Sequence, residues 1–142
     1  MFRAILLPID LGEPDCWDRP VELAVELARA DRATIHVLSV LPDYGMPIVG
    51  SYFPADFERR ALESLARALD KWVAERLPDD LEVHAHVAHG SVYREILRVA
   101  KELDCDAIVM AAHRPELKDY LLGSNAARVV RHARQSVLIV RE

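Results

Sequence analysis

The sequence predicts one α/β domain with a five-stranded parallel sheet covered by helices on both faces. Short apolar runs, typical of buried strands, alternate with longer stretches in which apolar residues recur every three or four positions. Short turns join most of these segments, and this arrangement favours parallel strands connected by helices. A length of 142 residues is usual for a single domain, so residues 1–142 are expected to form one unit.

The first strand and helix are marked by a change in hydrophobic period. Residues 3–9 form a nearly continuous apolar run, which is typical of a strand buried on both faces. Asp18 then caps the expected first helix, which tolerates Pro20 in its first turn. The apolar stripe of this helix is Val21, Ala24, Val25 and Ala28. The second strand is expected at residues 34–40.

A long loop separates the second strand from the second helix. Residues 41–54 contain three prolines and two glycines, so we expect no regular structure there. The helix is predicted over residues 55–77 and is stopped by Pro78. Its stripe is Phe57, Ala61, Leu65, Leu69, Trp72 and Val73. Residues 81–87 alternate strictly between apolar and polar, which predicts an edge strand with one wet face.

Two helices and two strands are expected in the last third of the chain. The third helix begins near Ser91, and its stripe is Val92, Ile96, Val99, Ala100 and Leu103. Residues 107–112 form the most apolar run, which predicts a strand at the centre of the sheet. Gly123 and Ser124 open a short helix with the stripe Ala126, Val129, Val130 and Ala133. The last strand is expected from Val137 to Val140.

Composition excludes several classes of function. The chain carries 18 basic and 23 acidic residues, and a net charge of -5 argues against a nucleic acid partner. No apolar run approaches the ~20 residues of a spanning helix, and the opening run is too short for a signal peptide. Cys16 and Cys105 match no CxxC or zinc spacing, and Cys105 is expected to be a small buried residue. We therefore expect a cytoplasmic protein that binds neither nucleic acid nor membrane.

The most promising anion site is the start of the last helix. The turn at residues 10–15 has neither a GxGxxG nor a P-loop pattern, and its carboxylates would repel phosphate. Gly123 would allow close approach to the backbone, and Ser124 and Asn125 open a helix whose N–H groups and dipole favour anions. Residues 111–142 carry six basic and three acidic side chains, against 12 and 20 in residues 1–110. A simple helix cap is the alternative interpretation.

Three stretches of the chain resemble the universal stress protein family. They are Leu7-Pro8-Ile9-Asp10, His36-Val37-Leu38, and Leu121-Leu122-Gly123-Ser124 followed by Val129, Val130, Arg131, His132, Ala133 and the final strand. The resemblance spans the whole chain and implies the strand order 3-2-1-4-5. In that order the final strand lies at an edge, whose open backbone groups invite pairing with a second copy. The resemblance accordingly implies a homodimer formed through this strand.

The family's ATP-binding pattern is matched only in part. The pattern is Gly, two residues, Gly, nine residues, then Gly with Ser or Thr. Here Ala111-Ala112-His113-Arg114 replaces the first glycine pair, and eight residues separate Arg114 from Gly123. His113 and Arg114 can supply side-chain donors to phosphate instead. The resemblance then implies a nucleotide site formed by Pro8, Ile9, Asp10, Val37, Met110, Ala111, His113, Arg114, Gly123, Ser124 and Asn125.

Within that site, the resemblance implies that Asp10 and Val37 meet the ribose and adenine while Gly123 and Ser124 close around the phosphates. It implies a homodimeric regulatory protein of the stress response that binds ATP, with Mg²⁺ as the accompanying ion. The chain shows no metal-holding carboxylate pair, lysine or water-positioning base typical of phosphoryl transfer, so we expect no enzyme, although slow hydrolysis stays open. The alternative is a ligand-free interaction module whose altered loop closes the pocket.

A histidine group offers a second kind of site. His84 and His86 share a strand face and His89 lies just beyond them, a spacing that could hold zinc or copper if an acidic partner converged. Alternation along a wet edge strand explains the same residues without a metal. We therefore predict neither a metal site nor a catalytic residue.

Overall fold

The computed structural model describes residues 1–12, 17–42, 56–112 and 123–141. The strands in these ranges are β1 (Ala4–Pro8), β2 (Thr34–Pro42), β3 (Val83–Gly90), β4 (Ala107–Ala111) and β5 (Ser136–Val140). The helices are α1 (Asp18–Asp31), α2 (Phe57–Arg76), α3 (Val92–Glu102) and α4 (Ser124–His132). None of these helices combines the length and the apolar character that crossing a membrane would require.

The five strands form one parallel sheet in the order β3-β2-β1-β4-β5. This confirms the predicted fold class, the strand order and the edge positions of β3 and β5. The prediction that the fourth strand is central was wrong, because β1 is the middle strand and β4 lies between β1 and β5. Both strands are buried on both faces, so hydrophobicity alone does not show which of them is the middle strand.

Alternate residues of the strands supply two separate cores. On the first face, Ile5 and Leu7 pack with residues of α1 and α2. On the second face, Leu6 and Ile108 pack with residues of α3 and α4. Because successive strand side chains point to opposite faces, each face of the sheet presents an apolar surface, and two helices cover each one.

Several boundaries differ from the predicted ones. Asp18 is the first residue of α1, and Trp17 rather than Asp18 occupies the cap position. Strand β2 continues to Pro42 because its last two residues pair with His89 and Gly90 of β3. The rest of the predicted loop, residues 43–54, lies outside the described residues, as does residue 55, the predicted start of the second helix.

Two residues predicted in buried stripes are largely exposed, so those predictions were wrong. Val130 is 47% exposed and Phe57 is 48% exposed. Val130 follows the buried Val129, and one residue along a helix turns the side chain by about 100° away from the sheet. Trp72 packs against the first core, as expected.

Candidate functional site

A cleft of about 420 Å³ opens at the carboxyl ends of β1 and β4. The chain leaves β1 towards α1 on the first face of the sheet and leaves β4 towards α4 on the second face. Because the two connections diverge, a crevice remains between the strand ends, as expected where the winding direction of such a sheet reverses. The predicted site residues that line it are Pro8, Ile9, Asp10, Met110, Ala111, Gly123, Ser124 and Asn125.

The structure does not bring all the predicted site residues together. Val37 is fully buried in the first core, and its side chain does not line the cleft. Its neighbour Leu38 points to the second face and lines the cleft instead. The reason is strand alternation, since successive side chains of β2 point to opposite faces. His113 and Arg114 lie outside the described residues.

Other lining residues were missed by the sequence analysis. Leu38 and Val40 lie two residues apart on β2, and Val92 and Ile96 lie one turn apart on α3. The periodicity marks these residues as core. The pairing of Pro8 with Leu38 brings the β2 residues beside the end of β1, and the packing of α3 on β2 brings Val92 and Ile96 to the same cleft. The missed lining residues are Trp17, Leu38, Val40, Pro42, Val92, Ile96, Ala112 and Ala126.

Asp10 lies at the mouth of the cleft in a turn held by two hydrogen bonds. Its carboxylate Oδ1 accepts a bond from the backbone N–H of Gly12 at 2.9 Å. Its backbone carbonyl oxygen accepts a bond from the indole Nε1 of Trp17 at 2.8 Å. An ionised carboxylate accepts hydrogen bonds only, so the remaining lone pairs of Asp10 suit hydroxyl or amine donors of a ligand and disfavour phosphate.

The start of α4 presents backbone donors to the same cleft. The first intrahelical bond runs from the N–H of Ala127 to the carbonyl oxygen of Gly123, at 2.9 Å. The N–H groups of Ser124, Asn125 and Ala126 precede it and have no intrahelical acceptor. Gly123 occupies the N-cap position, Ser124 is the first helical residue, and no side-chain hydrogen bond caps α4. A glycine N-cap therefore accounts for Gly123 as well as an anion site does, but it does not supply acceptors for the N–H groups that follow. Among the described residues no backbone acceptor pairs with these N–H groups, and with the helix dipole they make this end of the cleft suitable for an anion.

The backbone conformation at Gly123 does not require a glycine. Its φ of -56° and ψ of 150° are accessible to every residue type. A Cβ atom built there would lie 3.9 Å from the carbonyl oxygen of Ala112, an ordinary van der Waals distance. Among the described residues, nothing lies closer to this position, and Gly123 lines the cleft.

The structure does not bring together the three histidines that were considered for a zinc or copper site. His36 of β2 joins His86, with its Nδ1 atom 2.9 Å from the Nε2 atom of His86, and His84 contacts Glu82 at 3.0 Å. His89 points to the opposite face, where it pairs with Glu58 of α2 at 3.0 Å. Among the described residues, no three His, Cys, Asp or Glu side chains are placed to hold a metal ion.

Burial changes the acid–base properties of two of these histidines and of one cysteine. Desolvation lowers the pKa of His36 and of His86, and the neighbouring imidazoles lower both pKa values further. Cys105 is 5% exposed, which confirms that it is buried. Burial raises the pKa of its thiol to about 11, so it carries almost no nucleophilic thiolate at neutral pH.

Solved structures share this architecture. Hypothetical protein MJ0577 superposes with a TM-score of 0.81 at 21% identity, covering 100% of this chain and 97% of that one. The universal stress protein from Archaeoglobus fulgidus in complex with dAMP gives a TM-score of 0.64 at 23% identity, with 96% of each chain covered. A universal stress protein in complex with cAMP gives 0.67 at 18% identity, over 98% of this chain and 97% of that one. These similarities establish a common fold.

Sequence comparison gives the family. The chain is 37% identical to Universal stress protein G from Shigella flexneri over 145 aligned positions, which cover 99% of this chain and all of that protein. The model of the universal stress protein family matches residues 1–141. Both matches extend over the sheet, the helices and the cleft described above. The chain therefore belongs to the universal stress protein family.

Proposed function

We propose that this protein is a regulatory protein that binds ATP in the cleft between β1 and β4. The observation that carries the proposal is the start of α4, where the backbone N–H groups have no acceptor within the helix and a glycine that its own backbone conformation does not require lines the cleft. Close approach of a phosphate to the backbone explains why a side chain is absent there. Mg²⁺ would accompany the triphosphate.

The rest of the cleft suits a nucleoside. Its apolar lining includes Leu38, Val40, Val92 and Ile96, which can pack against a base. Asp10 offers carboxylate lone pairs to ribose hydroxyls, an arrangement common in nucleotide-binding sheets. Two proteins with the same fold are complexes with dAMP and cAMP, which supports an adenine nucleotide as the ligand.

We further propose that the protein holds ATP without efficient turnover. Among the described lining residues, Asp10 is the one carboxylate, and the lining includes no lysine. The Asp10 carboxylate already accepts a hydrogen bond from the backbone N–H of Gly12. Rapid phosphoryl transfer needs positioned carboxylates for metal and a group that orients the attacking water, which this lining does not supply. The proposed role is therefore a cytoplasmic sensor or carrier of ATP.

The proposal includes a homodimer formed through β5. This strand is at the edge of the sheet, and its residues from Val137 to Val140 are only partly buried. Pairing with a second copy would satisfy its open backbone edge and cover this apolar strand. Sedimentation equilibrium at micromolar concentration is expected to give twice the mass of the 16.0 kDa chain. A monomer mass over the whole concentration range would refute this part of the proposal.

Thermal unfolding with and without Mg-ATP tests nucleotide binding. ATP at ~100 times its dissociation constant should stabilise the protein by ~2.7 kcal/mol and raise its melting temperature. Gly123→Val places a branched side chain where the backbone must meet phosphate, so we expect it to abolish the shift while the unliganded protein still folds. Ala30→Val, which places the same branched side chain on the exposed side of α1, is the control and should keep the shift.

The outcomes separate the two functions considered for the chain. A wild-type protein with no shift would contradict ATP binding and favour the ligand-free interaction module. An ATP shift that persists in Gly123→Val would mean that phosphate binds elsewhere. Nucleotide extracted from the purified wild-type protein and identified by chromatography gives an independent measurement.

A further inference from the structure

A cluster of cationic and aromatic side chains lies on α3 and α4, outside the cleft lining. The guanidinium carbon of Arg128 lies 5.0 Å from the ring centroid of Tyr93, and that of Arg94 lies 5.7 Å from it. The Nε atom of Arg94 also donates a 3.0 Å hydrogen bond to the Tyr93 hydroxyl. The ring of His132 lies 6.4 Å from the same tyrosine ring. Tyr93 thus holds two guanidinium groups against one ring.

Within the part of the chain that the structure describes, these two arginines differ from their neighbour Arg98 in having no acidic partner. Arg98 bonds to Glu95 and, at 2.8 Å, to Glu102. Across the described ranges, no ion pair within 4.0 Å includes Arg94 or Arg128. Two like charges on one ring repel each other, although the face of the ring attracts both. No described carboxylate therefore neutralises the charge of this cluster.

The position of Arg94 has its own electrostatic cost. It is the third residue of α3, in the first turn, where the helix dipole disfavours a cation. The lowered pKa of Tyr93, caused first by its bond from Arg94 and also by Arg128, reflects the positive field at this point. An anion beside both guanidinium groups would compensate for this unfavourable arrangement.

The cluster adjoins the phosphate end of the proposed nucleotide site. Tyr93 follows Val92, which lines the cleft. Arg128 is four residues after Ser124, another lining residue, so the two lie on the same side of α4 with an axial separation of about 6 Å. The apolar side of the cleft at Leu38 and Val40 comes from β2 instead.

We propose that Arg94 and Arg128, held by Tyr93, bind the distal phosphoryl groups of the nucleotide and so make the protein select triphosphates over monophosphates. This inference rests on the proposed function and adds to it the ligand's phosphate number. The first phosphate meets the N–H groups at the start of α4, and the chain of phosphates continues towards Arg128. Guanidinium groups suit phosphate oxygens because they offer several donors in one plane.

Calorimetric titration of AMP, ADP and ATP in the presence of Mg²⁺ tests the inference. The wild-type protein is expected to bind ATP more tightly than AMP. Arg128→Gln should weaken ATP binding about tenfold, the effect of losing one charged hydrogen bond, while AMP binding stays the same. Arg94→Gln should act in the same direction. Arg98→Gln removes the same charge from α3 at a position already paired with glutamates, so it is the matched control and should leave all affinities unchanged.

The results distinguish this inference from the proposed function. If the wild-type protein binds AMP and ATP, but Arg128→Gln leaves their affinity ratio unchanged, the phosphate-number inference is overturned and nucleotide binding stands. If Arg128→Gln weakens AMP and ATP equally, the arginine acts on the whole site and the inference is also wrong. If no adenine nucleotide binds to the wild-type protein, the proposed function fails and the inference fails with it.

Discussion

The indole Nε1 of Trp17 donates a 2.8 Å hydrogen bond to the backbone carbonyl oxygen of Asp10. This bond ties the residue before α1 to the turn after β1, and both residues line the cleft. The Asp10 carboxylate meanwhile accepts the N–H of Gly12. Asp10 therefore lies in a turn whose backbone is already held by Trp17, so a ligand that binds the Asp10 carboxylate also comes close to the indole of Trp17.

Trp17 should report nucleotide binding through its fluorescence. The chain has two tryptophans, and the other, Trp72, packs against the first core away from the cleft lining. In Trp72→Phe, titration with Mg-ATP is expected to change the emission of Trp17, because a ligand alters the solvent and dipoles around the indole. Trp17→Phe is the control, and the remaining Trp72 signal should stay constant. A response in the control alone would place the ligand elsewhere.

The Asp106 side chain should contribute measurably to stability. Its carboxylate accepts the backbone N–H of Arg3 at 3.0 and 3.1 Å and the N–H of Ala4 at 3.1 Å. Asp106→Ala leaves these donors without the carboxylate, so we expect a loss of about 1–3 kcal/mol in the free energy of unfolding. Urea denaturation measures this loss. Glu22→Ala, on the exposed side of α1, should change stability by less than about 0.5 kcal/mol.

Stability should decrease as the pH falls below the ordinary histidine pKa. Burial holds the pKa of His36 and His86 below the ordinary histidine value of 6.5, so the unfolded chain takes up protons first as the pH falls. The contribution from these groups is fully present above pH 6.5 and is lost as the pH falls through their lower folded values. His84 and Glu82 face the same pair, and the carboxylate partly counters the effect on His36.

Urea denaturation between pH 7 and pH 5 checks this dependence. His36→Gln should flatten the fall in stability, and His86→Gln added to it should flatten the fall further. His132→Gln, on the exposed side of α4, should leave the fall as it is in the wild-type protein. An equally steep fall in the double variant would show that other groups control acid stability.

Cys105 should resist alkylation while the protein is folded. Its thiol is buried, and its pKa of about 11 leaves very little thiolate at pH 8. In Cys16→Ser, where Cys105 is the remaining thiol, iodoacetamide should react at least tenfold more slowly in buffer than in 6 M urea, a ratio that mass spectrometry can follow. Equal rates would contradict the buried position of Cys105.

The fold was predictable because its signals are local. The apolar run after Arg3 and the alternating residues around His84 reflect which faces of each strand meet water, and each pattern is read within a few residues. The middle position of β1 was not predictable from hydrophobicity, because β1 and the more apolar β4 are buried to the same extent and only their pairing partners distinguish them. Family resemblance supplied the order that hydrophobicity could not.

The candidate site was predicted where it follows strand ends and a helix start, and missed where it depends on neighbouring strands. Asp10 and Gly123 fall at such positions, so their convergence follows from the α/β fold. Leu38 was missed in favour of Val37, since one residue reverses the face of a strand side chain. His113 and Arg114 lie outside the described residues, so their predicted contacts with phosphate stay predictions.

The sequence by itself determined the α/β class, the family and the end of the sheet at which a ligand is expected, because hydrophobic periods and motif residues are properties of the chain. Tertiary structure alone decided which side chains meet. It joined His36 to His86 while turning His89 to Glu58, and it set Arg128 of α4 over Tyr93 of α3. Such contacts depend on strand register and helix packing between distant segments, and the residue types of each segment do not specify either.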